Sequence, residues 1–187
     1  CPRRSASFST LGVGEGAEHP YPWVKLFGAV ALIGLDSARP SPWLFATGRI
    51  GELQRDKLEL LLQRPELAHR LIIVCLHHPL IDRPATSLYG LRRLTDEEPL
   101  RRILLRSGAA VVLHGHNHGV QRELLERDGT GRPPMLLLGA TSTSLVHGPP
   151  ANRARYAIHT LDPASGELLA GQWRCWDEAR SCWGGAE

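Results

Sequence analysis

The stretch "AAVVLHGHNH", residues 109–118, runs five apolar residues into three histidines at alternate positions, His114, His116 and His118. About 35 residues upstream, "LIIVCLHHPL" (71–80) repeats the arrangement with an adjacent pair, His77 and His78, followed by a proline. A short continuous apolar run is the signature of a strand buried on both faces. In open α/β sheets, ligands bind in the crevice beyond the carboxyl ends of the strands. Two histidine groups, each placed directly after such a strand, therefore point to a shared site at one sheet edge. A lone histidine there reads as a polar strand-end residue; five in two groups do not.

Outward from these strands, "VKLFGAVALIGLDS" (24–37) reads as two strands or a bent one, ending at Asp36. "GELQRDKLELLLQR" (51–64) places leucines near helical spacing and stops at Pro65. Thr95, with Glu98 three residues later, reads as the start of a second helix that ends near Gly108. Beyond the histidines come four strand-like segments, 119–126, 134–140, 156–162 and 168–176. The order is strand–helix–strand–helix–strand followed by four strands in succession. It predicts an α/β half with an antiparallel β extension, in layers. Residues 1–23 read as loop, 24–176 as the folded unit and 177–187 as a tail.

The composition is that of a soluble globular chain: of 187 residues 42% are hydrophobic and 22% charged, with a net charge of +3. No basic block with interleaved aromatics argues for nucleic acid. No apolar run approaches the roughly 18 residues of a membrane span. The four cysteines, Cys1, Cys75, Cys175 and Cys182, form no CxxC pair. Cys175 and Cys182 either pair across a short loop or remain reduced, and the pattern suits a cytoplasmic protein. Oligomeric state is not encoded in any pattern here.

In an extended loop, His116 and His118 project to the same side, with Cα atoms ~6.5 Å apart. That separation lets the imidazoles lean onto two metals ~3.5–4 Å from each other. His114 shares their parity but still belongs to the strand, and is read as a supporting or core residue. His77 and His78 point in opposite directions if extended, so at most one of them is a ligand. His19, His69, His147 and His159 are scattered and are read as structural. HExxH is absent, no cysteine spacing makes a zinc finger, and "GATSTS" (139–144) is not a GxSxG elbow.

"VCLHHPL" followed about 35 residues later by "VVLHGHNH" resembles the last two metal-binding motifs of the calcineurin-like metallophosphoesterases, and of bacterial phosphodiesterase-type members in particular. "ALIGLDS" and "RRLTDEEPLRRIL" are similar to that group too, so the resemblance covers residues 24 to 145. It implies part of a layered α/β/β/α sandwich and hydrolysis of a small phosphoester by a dinuclear centre of Mn, Fe or Zn. A metal-bridging hydroxide would attack phosphorus in line. His77 and His116 would ligate one metal and His118 the other.

The family's other motifs, Gly-Asp-x-His, Gly-Asp-x-x-Asp and Gly-Asn-His-Asp, should precede these, and residues 1–76 contain none of them. Three neutral imidazoles cannot balance the charge of two divalent ions, because such a site needs carboxylates. The chain is therefore expected to be the C-terminal half of a metallophosphoesterase domain, without the N-terminal strands and helices. The general-acid histidine would lie outside it, and the chain alone would be inactive. Supporting or substrate-contacting candidates are His78, His114, Asn117, Arg92, Arg93 and Asp36. The arginines would reach a phosphate, and Asp36 would orient a histidine or close a turn. The alternative is a non-catalytic fragment or interaction module that binds one metal weakly or none.

Overall fold

The computed structural model describes residues 9–11, 20–43, 45–81, 89–127, 129, 131–144 and 154–185. Its centre is a seven-stranded sheet of β1 (Ser9–Leu11), β2 (Trp23–Phe27), β3 (Val30–Gly34), β4 (Leu71–Cys75), β5 (Ala109–His114), β6 (Gln121–Leu125) and β7 (Met135–Gly139), in spatial order β1-β2-β3-β4-β5-β7-β6. β3, β4, β5 and β7 are mutually parallel, and at the margins β1 pairs with β2, β2 with β3 and β6 with β7 antiparallel. A second sheet holds β8 (Arg155–Leu161), β9 (Leu168–Asp177) and β10 (Cys182–Gly185), all antiparallel.

Helices α1 (Glu52–Leu62) and α3 (Glu97–Arg106) make the crossovers before β4 and β5, and a single turn, α2 (Tyr89–Arg92), precedes α3. One core joins the helix layer to the sheet: Leu58 and Leu61 of α1 and Leu100 and Leu104 of α3 pack with Ile33, Val74, Val112 and Leu137. On the other sheet face, Val111, Leu136 and Leu138 are covered by Leu161 and Leu168 of the small sheet. The layers are helix, large sheet, small sheet. This is the expected α/β class, in layers.

The stretch at 24–37 resolves into two strands joined through Gly28, whose φ of 55° is the left-handed value that favours glycine. The four later strands do not simply extend the sheet antiparallel. β7 inserts parallel beside β5, leaving β6 at the edge. The physical reason is composition: "MLLLG" is buried at all five positions, which suits a central strand, whereas β6 alternates half-buried and exposed residues. Strand β1 lies within the segment read as loop, and β10 within the segment read as tail.

The start of α3 also differs from its local pattern. Asp96, not Thr95, is the N-cap residue, and its side chain does not cap its own helix. The carboxylate instead accepts from the Ile50 and Gly51 amides, both at 2.9 Å, and from the Arg55 guanidinium. Thr95 donates its hydroxyl to the Gly48 carbonyl at 3.0 Å. Where α3 passes into β5, the Arg127 guanidinium donates to the carbonyls of Leu104, Leu105, Ser107 and Ala109.

Cys175 faces Gly184 across the β9–β10 ladder while Cys182 faces Asp177, so the two are not opposed, and Cys75, Cys175 and Cys182 are free thiols. Burial pushes the Cys75 thiol up to about 11. At pH 8, Cys182, which is exposed, is expected to react with an aromatic disulfide reagent at least ~10-fold faster than Cys75. Equal labelling rates would contradict the packing of β4.

Candidate metal centre

Three parallel neighbours, β3, β4 and β5, end at the same edge, and hydrogen bonds continue past the strands. Leu35 N donates to Cys75 O, Leu76 N to Leu113 O and Gly115 N to His77 O, at 2.9 to 3.1 Å. The last of these joins the two histidine loops directly. It brings His77 Nε2 to 3.1 Å from His116 Nδ1, with the rings edge-to-face at a centroid distance of 5.0 Å.

That nitrogen separation has a chemical meaning. Two imidazoles on one ion, each ~2.0–2.1 Å from it, hold their nitrogens roughly 2.9 Å apart at a right angle and roughly 3.3 Å apart at a tetrahedral angle. The observed 3.1 Å lies between them. Without an ion, one of the two nitrogens carries the proton that the other accepts.

His78 does not point away from His77 as an extended chain would have it: both lie past the end of β4 in a bend, and their rings meet edge-to-face at a centroid distance of 5.1 Å. His78 is buried, with Nε2 at 3.0 Å from the Ala46 carbonyl and Nδ1 at 2.8 Å from Ser37 Oγ. Both ring nitrogens are therefore engaged by protein, and His78 is not a ligand. Its ring lies against His116 at a centroid distance of 4.3 Å. His114 is the last residue of β5, buried against Gly139, with Nδ1 facing the Gly115 carbonyl at 3.3 Å; it belongs to the core.

The loop from 115 to 119 is not extended. His116 and His118 have φ values of 70° and 52°, a region where a Cβ is strained, whereas Gly115 is not among the positive-φ residues. The left-handed turns fall on the histidines themselves, so the two-residue alternation expected from the sequence does not describe them. His118 is exposed and makes no hydrogen bond or ring contact with His77 or His116 among the described residues. Asn117 N donates to Gly115 O at 2.9 Å, closing the turn. Among the described residues, no group of three or more His, Cys, Asp or Glu side chains converges closely enough to hold a metal ion. The pair His77–His116 fits half of one ion's ligand set, and the residues present do not fit two ions.

Burial, then the imidazoles of His78 and His77, push the His116 pKa down to about 4. The main chain of Arg92 opposes this. Burial likewise lowers His78. Both rings are neutral at pH 7, which is the form that binds metal or packs in a core. Their folded pKa values lie below the unfolded value of 6.5, so the unfolded chain binds more protons in between. Metal-free protein should hold a constant Tm contribution from these groups above pH 6.5 and lose it progressively toward pH 4. A Tm that rises on acidification over that range would contradict the burial of this pair.

Arg92 is exposed and close enough for its charge to depress His116, which puts a cation beside the histidine pair. Arg93 is exposed, and its carbonyl accepts from Gly48 N at 3.0 Å. Asp36 does not orient a histidine. Its Oδ1 accepts the Ala38 amide at 2.9 Å in a local turn, and its main chain is paired with Gln54. The residue that does touch a histidine is its neighbour Ser37, together with Ala46, and neither stood out in the sequence. His69 is exposed in the turn before β4, and His159 is half-buried in β8 with its pKa lowered by burial and by Arg122. His19 and His147 lie outside the described residues.

Comparison with solved structures bears on the fold. The fold is similar to that of the purple acid phosphatase PPD1 isolated from yellow lupin (Lupinus luteus) seeds, with a TM-score of 0.51 at 12% sequence identity. The likeness is one of fold. The similarity covers 84% of this chain and 33% of the lupin enzyme, so the chain spans about a third of that protein's length. No protein-family model matches the sequence, and no curated protein matches it. No helix among the described residues is long and apolar enough to cross a membrane.

Proposed function

We propose that this chain supplies the histidine side of the metal centre of a phosphoester hydrolase, of the phosphodiesterase type, acting on a small phosphoester with two divalent ions such as Mn, Fe or Zn. The observation that carries the reading is the 3.1 Å approach of His77 Nε2 to His116 Nδ1 at the carboxyl end of two adjacent parallel strands. Bound divalent ions there supply Lewis acidity toward a phosphoryl oxygen. The chain's own residues do the rest of what can be assigned: His77 and His116 bind as neutral imidazoles, His118 is kept for the second ion, and Arg92 places a cation where a phosphate anion would lie. The carboxylates that balance the metal charge come from outside the described residues.

A second reading, a non-catalytic module that binds one ion weakly or none, draws on the lack of a third donor among the described residues. Turnover separates part of the question. This chain alone, given Mn(II) and an aryl phosphodiester, is expected to show no hydrolysis above the rate of Mn(II) itself. Turnover that is lost in His77→Ala would mean that the ligand set is complete within these residues and would sink the half-site reading. Binding, argued in the Discussion, separates the hydrolase side from the inert module.

A further inference from the structure

We infer that Ser37 is a positioning residue for the metal-binding pair, acting through His78 to seat His116; the inference rests on the reading of His77 and His116 as ligands. A carbonyl can only accept, so His78 Nε2, 3.0 Å from Ala46 O, carries the ring proton. Nδ1 is then bare, and Ser37 Oγ at 2.8 Å must donate to it. The same oxygen accepts the main-chain amide of His78 at 3.3 Å. One hydroxyl therefore fixes both the ring and the backbone of His78, with Ser37 only 1% exposed and His78 4%.

The pocket around this ring has no slack. A Cβ on Gly48 would stand 2.3 Å from His78 Nδ1, so the glycine is what lets the ring lie there. His116 then rests on His78, the two rings tilted by 40° at 4.3 Å, with Nδ1 directed at His77 Nε2. Ser37 follows β3, His78 follows β4 and His116 follows β5, so three adjacent strand ends are locked by one chain of contacts. A locked neutral His78 presents no free nitrogen to compete for the ion. Removing the hydroxyl leaves Nδ1 and the His78 amide without their partner, and the ring that supports His116 loses its fixed orientation.

The test uses the whole chain with Zn(II) as probe, alongside imidazole ¹⁵N spectra of metal-free protein. Ser37→Ala should weaken Zn(II) binding ~10-fold, the low end of what loss of such a supporting contact costs, and Ser37→Thr, which restores the hydroxyl, should recover most of it. In the spectra, wild-type His78 should show a protonated Nε2 and a bare, hydrogen-bonded Nδ1, and Ser37→Ala should shift the ring signals of His116. Unchanged Zn(II) affinity in Ser37→Ala, where His116→Ala does lose it, overturns the positioning role and leaves the ligand reading standing. If wild type and His116→Ala bind alike, the ligand reading fails, and the spectra still decide the contact. A His78 ring protonated at Nδ1, or His116 signals unmoved by Ser37→Ala, overturns it.

Discussion

Asp96→Ala is expected to lower the unfolding free energy by about 3 kcal/mol, the scale of breaking a largely buried ion pair while orphaning its partner. The side chains of Arg55 and Asp96 are 16% and 11% exposed, and the carboxylate also holds the Ile50 and Gly51 amides at the start of α1. Removing it strands a guanidinium and two helix-terminal donors at once. Asp96→Asn keeps one good acceptor and should lose about half as much. Glu98→Ala is the control. Its partners Arg101 and Arg102 are more exposed, on the surface of α3, and a change within about 0.5 kcal/mol is expected. Urea unfolding followed by circular dichroism measures all three; a loss below 1 kcal/mol for Asp96→Ala would mean that solvent satisfies α1 unaided.

The largest effect on function should come from the histidine pair. His77→Ala or His116→Ala should each weaken Zn(II) or Mn(II) binding at least ~10-fold, because each removes half of a two-nitrogen bite that no third donor completes among the described residues. His118→Ala should leave the affinity of this chain within about twofold, since His118 is exposed and does not complete a three-donor group with the pair among the described residues. Isothermal titration at pH 7.5 reads the difference, above the range in which His116 and His78 take up protons. Equal losses at 77, 116 and 118 would show that the loop closes around one ion. No loss at 77 or 116 would favour the inert module.

The histidine edge was legible from sequence because its logic is local: apolar runs buried on both faces end where the polar chemistry starts, and β4 and β5 behave that way. The opposite orientations expected of His77 and His78 did not hold, because the chain bends after β4 and brings the two rings edge-to-face at 5.1 Å. What sequence did not show depends on partners far along the chain. Thr95 and Glu98 imitate a capping box, but Asp96 is bound to residues 45 and 46 positions away, which no local pattern reports. Ser37 was passed over for the more conspicuous Asp36, because the choice rests on the β3–β4 register that brings Ser37 to His78, 41 residues on. The parallel insertion of β7 was hidden for a related reason: a buried apolar strand looks the same whichever way its neighbours run.

The two left-handed histidines have a bearing on recognition itself. A residue with a Cβ in that region stores roughly 1 kcal/mol or more, and His116 and His118 occupy it in succession around Asn117. The amides of Gly115 and Asn117, tied to His77 O and Gly115 O, hold the loop there. The conformational work is thus completed when the chain folds, before any guest arrives. A cation bound as proposed would meet a loop already shaped, and its affinity would not be diminished by the entropy of ordering a loose one.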